Sequence, residues 1–271
     1  MASSQLAELR QEVDRNRLWY HTLDLGNGVV TPGWMDLRPV VERLPWPDVR
    51  GKRCLDVGTY AGFFAFELER RGAAEVVATD ISEHSQWDWS WAMRGRGAEF
   101  LASVAGEKGR GFEIAHAALG SAVVKRELSV YELSPDAVGE FEVVVCGSLM
   151  LHLKSPVRAM EAIRSVCRGA FLSAEQIDPL LSLVSPRRPA SWFRAGHETQ
   201  WQIPNVAGLR ALVESAGFRV ERSVKPYAVP FGAGYRGGGA RGVRSGTHAL
   251  LTQLVAHGSG VPHAAVLASA A

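Results

Sequence analysis

Apolar residues Leu6, Leu9, Val13 and Leu18 recur at near-helical spacing among charged ones, predicting an amphipathic helix at the N-terminus. Between Trp19 and Pro32, short apolar pairs flank Gly26, Asn27 and Gly28, which reads as a turn joining two brief extended segments. Asp36 to Leu44 reads as a short helix stopped by Pro45 and Pro47. From Lys52 the pattern becomes strand alternating with helix. Strands are predicted at Arg53–Val57, Glu75–Thr79, Phe112–Ala117, Phe141–Cys146, Gly169–Ala174 and Phe218–Val224, and helices at Gly62–Arg71, Pro156–Val166 and Val206–Ala216. Short apolar strands separated by such helices form right-handed crossover units, so the expected fold class is α/β, with a doubly wound, mostly parallel sheet beneath an N-terminal helical cap. Near the end, a loop rich in Gly and Arg over 232–246 precedes an apolar run, Thr247 to Val255, read as a final strand. The organisation expected is a cap or lid over 1–50, a core over 51–257 and a flexible tail over 258–271.

Composition narrows the class without naming a partner. Of 271 residues, 46% are hydrophobic and 21% charged, enough apolar surface for a sizeable core. A formal net charge of +2 is too mild to indicate a polyanion, because nucleic-acid footprints depend on clustered cations. Three cysteines, Cys54, Cys146 and Cys167, lie in or beside apolar runs without metal or redox spacing, and read as buried small hydrophobes in a reduced compartment. The histidines show no ligand pairing, so no metal site is expected. The polar N-terminus and the lack of an apolar run of about 18 residues point to a cytoplasmic protein with no membrane partner.

Chemistry concentrates in Cys54-Leu55-Asp56-Val57-Gly58-Thr59-Tyr60-Ala61-Gly62, where a strand passes through a glycine-bearing turn into a helix. Asp80 closes the next strand, at the separation that suits a ribose-binding acid on the same sheet edge. The pyrophosphate fingerprint G-x-G-x-x-G is not met. What remains is D-x-G-x-x-x-G, in which Asp56 can hold a cationic amino group and Gly58 makes room for an aminoacyl tail, a pattern better matched to S-adenosylmethionine than to NAD.

With this segment in place, the chain resembles the class I S-adenosylmethionine-dependent methyltransferases, whose fold is Rossmann-like. The set Trp19-Tyr20-His21, Thr31-Pro32-Gly33-Trp34, Leu55 to Thr59, Cys146-Gly147-Ser148-Leu149-Met150-Leu151-His152 and Ile203-Pro204-Asn205 is similar to a branch near the tRNA wobble-uridine carboxymethyltransferases. The resemblance implies S-adenosyl-L-methionine as cofactor. It sets Asp56, Gly58, Thr59, Tyr60 and Gly62 along the donor's methionine portion, Asp80 on its ribose, and Ile81, Ser129 and Val130 about its adenine. It also puts Cys146, Gly147 and Ser148 at the strand end where the transferring methyl meets its acceptor. Tyr60 replaces a family glycine, and Ala61 stands where an acid is frequent.

Three side chains are candidates for catalysis. His152 follows the fourth predicted core strand at the active edge and is suited to proton removal near neutral pH, or else is a helix-start histidine bonded to backbone. His21, with Tyr20 and Trp34, belongs either to an aromatic lid that surrounds a sulfonium or to packing of the cap. Glu175, ending another strand, either orients an acceptor or pairs with an Arg. Trp87, Trp89 and Trp91 line an aromatic pocket or pack against the cap. The leading reading is methyl transfer to O, N or C of a small-molecule acceptor, aromatic ones included, enclosed by the cap and Trp192–Asn205. Two alternatives remain: a tRNA-modifying transferase using the Arg and Gly loop, and a fold that binds the donor without methylating.

Overall fold

The computed structural model describes residues 3–105, 107–197, 199–235 and 246–270. The predicted loop at 232–246 falls mostly outside them. The chain begins with helix α1 (Ser3–Arg15), whose Leu9 and Val13 are buried, as the spacing requires. Strands β1 (Trp19–His21) and β2 (Gly33–Met35) pair in parallel as a separate two-stranded sheet. The short helix expected at Asp36–Leu44 is a single 3-10 turn at Val41–Arg43.

The core follows as β3 (Arg53–Val57), α2 (Phe63–Arg70), β4 (Glu75–Asp80), α3 (Arg96–Ala105), α4 (Arg110–Leu119), β5 (Val124–Glu127), α5 (Pro135–Val138), β6 (Phe141–Gly147), α6 (Pro156–Val166) and β7 (Cys167–Gln176). Then come α7 (Pro179–Val184), the antiparallel hairpin β8 (Ser191–His197) and β9 (Gln200–Pro204), α8 (Val206–Ser215), β10 (Phe218–Ser223), β11 (Tyr227–Val229), α9 (Gly246–Ala256) and β12 (Val261–Ala270). The main sheet has the order β10-β12-β7-β6-β3-β4-β5, with β11 also on β12. Pairs from β7 through β5 are parallel, and β12 runs antiparallel to its neighbours.

Apolar layers cover both faces, as a parallel sheet demands. One joins Cys54, Val143, Val145 and Leu172 to α1, α2, α4 and the cap; the other joins Leu55, Val57, Val144 and Phe171 to α6 and α8. All three cysteines are buried and unpaired.

Three expectations are corrected. Phe112–Ala117 is not a strand but the middle of α4, which buries Phe112, Ile114 and Ala115. Thr247–Val255 is helix α9, not a strand. Residues 261–270, expected as flexible tail, form β12, with Ala264, Ala265, Val266 and Ala268 almost fully buried. Packing between two strands overrides the weak strand propensity of an Ala-rich segment.

Because β12 supplies hydrogen bonds to β7 on one side and to β10 and β11 on the other, deleting residues 258–271 is expected to abolish cooperative unfolding. Thermal denaturation followed by circular dichroism checks this; a sharp transition near that of the full chain contradicts it.

Candidate active site

The chain winds from β3 outward through β4 to β5, then crosses back to lay β6 and β7 on the other side of β3. Strand order reverses between β3 and β6, and open α/β sheets bind ligands in the crevice beyond the carboxyl ends at such a point. Two turns edge it, Gly58–Gly62 after β3 and Gly147–Leu149 after β6. They touch: a Cβ on Gly58 would lie 3.0 Å from Leu149 Cδ2. The first turn holds left-handed backbone at Gly58 (φ 77°), Tyr60 (φ 46°) and Gly62 (φ 94°). At Gly62 a Cβ would collide with Phe66, so glycine is required there.

Two carboxylates stand at this edge. Asp56 on β3 is buried, and its Oδ2 has no hydrogen-bond partner among the described residues. Burial, reinforced by the charge of Asp80, pushes its pKa up to about 7. Asp80, ending β4, accepts from Tyr60 N (2.8 Å) and Ile81 N (2.8 Å) and forms an ion pair with Lys108 Nζ (2.7 Å). Lys108 also donates to Ile81 O at 2.6 Å. Burial lowers the pKa of this lysine against the pull of Asp80. Thr59 is buried, its amide donating to Thr79 O at 3.1 Å.

The cap brings Tyr20 against the first turn and His21 to within 5.8 Å of the Phe63 ring just after it. The Tyr20 ring lies 5.3 Å from that of Tyr60, and burial raises the Tyr20 phenol to about 12. His21 stands edge-on to Tyr20 at 4.9 Å, with burial holding its pKa near 3 and its Nδ1 unpartnered. It is thus a neutral and weak base. Trp34 is half-buried against the apolar layer of the cap.

Beyond the second turn, Glu175 accepts from Leu149 N (3.3 Å) and Met150 N (3.1 Å), and from Cys146 Sγ at 3.8 Å. It pairs with backbone rather than with an Arg, and burial raises its pKa to about 8. The Cys146 thiol is pushed well up by burial and by Glu175. A Cβ on Gly147 would strike Phe64, and Ser148 has left-handed backbone (φ 53°). His152 Nδ1 lies 2.6 Å from Thr199 O; a carbonyl only accepts, so Nδ1 carries the hydrogen and Nε2 the lone pair. Burial lowers the pKa of His152 and favours this neutral form.

The three tryptophans after Asp80 part company. Trp89 is buried, Trp87 stacks on it and lies 5.5 Å from the His152 ring, and Trp91 is 87% exposed. Asp88 ties this segment down, accepting from Tyr131 Oη (2.5 Å) and Lys154 N (2.8 Å), while its carbonyl takes Trp201 Nε1 (2.6 Å). Ser129 caps the 3-10 turn at Val130–Glu132, its hydroxyl accepting from Tyr131 N, and Val130 is buried beneath it.

A family profile described as "Methyltransferase domain" matches residues 35–223, well over half of the sequence. The chain belongs to this methyltransferase-domain family. The matched span includes β3 through β10, and thus both turns and both carboxylates. Over 123 residues the chain is 31% identical to the ubiquinone biosynthesis O-methyltransferase of Neisseria meningitidis serogroup C, an alignment spanning 45% of this chain and 42% of that protein. The chain thus spans under half the length of this curated relative. Among solved structures, the N-terminal domain of EvdMO1, crystallised with SAH and D-fucose, shares the fold at TM-score 0.51 and 15% identity, covering 100% of this chain and 98% of that one. An S-adenosylmethionine dependent methyltransferase from Mesorhizobium loti aligns at TM-score 0.48 and 14% identity over 83% of this chain and 93% of that one.

Two polar residues escaped the sequence reading, Lys108 inside the matched span and His263 beyond it. Lys108 carries no local signal linking it to Asp80, and His263 lay in the segment taken for a tail. The latter sits on β12, with Nε2 2.8 Å from Ser148 Oγ. No metal-ligand cluster occurs among the described residues, and no described helix is long and apolar enough to cross a membrane.

The raised pKa of Asp56 has a sign that can be measured. Between its usual value near 4 and about 7, the folded protein keeps a proton that the unfolded chain has released, so stability falls as pH rises through that window. Relative to Asp56→Asn, the wild type should lose on the order of 5 °C in melting temperature between pH 5 and pH 7.5. Parallel melting curves check this; a constant gap places the pKa of Asp56 outside the window.

Proposed function

We propose that this chain is an S-adenosylmethionine-dependent methyltransferase acting on a small, neutral acceptor. The observation that carries the reading is the unpartnered Oδ2 of buried Asp56, set beside a left-handed glycine turn and one strand from Asp80. A buried carboxylate lacking a partner is costly and is relieved by a cation. The amino group of the donor is such a cation. Asp56 would hold it, Gly58 leaves room for the aminoacyl portion, and Asp80 would take the ribose hydroxyls. The adenine would lie between Ile81 and the Ser129–Val130 turn. When bound, the cofactor supplies an electrophilic methyl group on a positively charged sulfur.

The chain's own task is alignment, exclusion of water and proton removal. Tyr20 and Tyr60 would form an aromatic wall that suits a sulfonium charge. His152 keeps its lone pair at Nε2 and remains neutral near pH 7, so that atom would take the proton of an acceptor hydroxyl or amine. Glu175 sets the second turn through two backbone amides. Tyr20 thus serves binding in this reading, and His152 serves the proton.

The acceptor is assigned to a cavity of about 300 Å³ reaching Glu175, walled by Met150, Leu151, Val157 and Leu212 with Gln176 and Gln202 as neutral polar groups. Among the described residues its lining has no Lys or Arg, which favours a neutral small molecule over a tRNA. The names of two similar proteins, one solved with D-fucose and one an O-methyltransferase of ubiquinone biosynthesis, support an uncharged acceptor oxygen.

Calorimetric titration with S-adenosylmethionine and S-adenosylhomocysteine tests the donor site. Micromolar binding is expected, weakened at least tenfold by Asp80→Ala. Because the ribose must take Asp80 from Lys108, Lys108→Met should tighten binding several-fold; an unchanged or weaker affinity shows that the lysine stays in place. No binding to a folded wild type overturns the reading. In a screen of phenols, catechols and glycosides for release of S-adenosylhomocysteine, His152→Ala should lower turnover by roughly 10²-fold or more, the usual scale of a lost general base.

A further inference from the structure

The pair formed by Ser148 and His263 is used by none of the steps above, and its hydrogen bonding has only one consistent direction. His263 Nδ1 lies 2.8 Å from Val261 O, which can only accept, so Nδ1 carries the ring hydrogen. Burial lowers the pKa of His263 to about 4, so the imidazole is neutral near pH 7 and Nε2 bears no hydrogen. Ser148 Oγ, 2.8 Å from Nε2, must therefore be the donor in that bond. Its hydroxyl hydrogen is committed, and the oxygen offers only lone pairs to anything else that approaches.

The ring cannot readily turn to reverse this. His263 is 5% exposed, stacks on Tyr227 at 6.0 Å and stands opposite Gln176 in the β12–β7 register. Ser148 is pinned from the other side, with its amide donating to Ala174 O at 2.9 Å. Its φ of 53° is uncommon for a residue other than glycine, and such backbone persists where the surroundings enforce it. The position is equally specific. The next residue, Leu149, packs against Gly58 of the donor turn, and the one after it, Met150, lines the acceptor cavity. Ser148 is only partly buried, and it follows the end of β6 directly before these two residues.

We propose that Ser148 is a specificity-determining residue of the acceptor site: its oxygen takes a hydrogen bond from a hydroxyl or N–H of the acceptor, while His263 withholds its own hydrogen from the ligand. This rests on the methyltransferase reading and extends it to a substrate class, neutral acceptors that carry a second hydrogen-bond donor beside the methylated atom. A site built to pair a donor group rejects the analogue lacking it, because its own lone pair is left unpaired on burial. An ether or carbonyl at the same place meets only repulsive lone pairs.

Catechol and guaiacol serve as probes, since both keep one hydroxyl for His152 and differ in the donor hydrogen beside it. Each is titrated into the full-length protein saturated with S-adenosylhomocysteine, with binding read from amide chemical shifts. Wild type should bind catechol at least fivefold more tightly than guaiacol and shift the Ser148 amide only with catechol. Ser148→Gly, which accepts the left-handed backbone without strain, should bring the two affinities within twofold of each other while leaving that for S-adenosylhomocysteine unchanged. His263→Phe, which keeps an aromatic ring against Tyr227 and frees the Ser148 hydrogen, should also remove the preference. If wild type binds both probes equally or neither, or if Ser148→Gly keeps the preference, the proposal is overturned while the donor site stands. If S-adenosylhomocysteine does not bind, the methyltransferase reading falls and this inference with it.

Discussion

The carboxylate of Asp80 joins three separate pieces of chain, and the donor side of the site depends on that junction. It fixes the glycine turn through Tyr60 N, its own strand end through Ile81 N, and the segment between α3 and α4 through Lys108. These bonds add to the backbone contacts of the turn with Thr79 O and to the bond from Lys108 to Ile81 O. The turn bends through three left-handed residues, and the Lys108 ammonium is withdrawn from water. A charged acceptor bonded to backbone amides is stronger than a neutral one, so a single side chain can impose this geometry. Among the described residues Asp80 has a counterion, whereas Asp56 has none.

That asymmetry gives the two acids different parts to play. Asp56 meets its cost of burial by holding a proton, and a cationic ligand removes the need for it. Asp80 is paired with Lys108, and under the proposed reading it exchanges that internal cation for ribose hydroxyl groups. The methyltransferase domain thus prepares for its ligand with one unsatisfied atom and one exchangeable contact, both on the carboxyl edge where strand order reverses.

How far the sequence foretold this varied with how local the information was. The unit β3–turn–α2–β4 was legible because the glycine turn and the closing acid lie within one stretch whose periodicity switches from two to helical. By contrast, Phe112–Ala117 is apolar enough for either element, and only its packing of Phe112, Ile114 and Ala115 against the cap decides for helix. The last segment failed for a different reason: alanines give little sign of a strand until two neighbours bury them. Among site residues, Asp56, Asp80 and the turn glycines were visible as a motif, and Glu175 as a strand end whose partner was wrong. Lys108 and His263 were invisible, since each matters through contact with a residue far away in sequence. The tryptophans at 87, 89 and 91 show the limit of periodicity: a strict alternation placed them in three different environments.

The docking of β12 bears on when the protein becomes competent. Contacts between distant parts of a chain form late, because the loop they close must first lose its freedom. His263 rides on this strand, and until the strand inserts beside β7 the serine at the end of β6 has no partner to orient its hydrogen. Absence of β12 would take a strand out of the sheet and the orienting partner from Ser148 at once, so completion of the sheet and the setting of that hydroxyl are a single event.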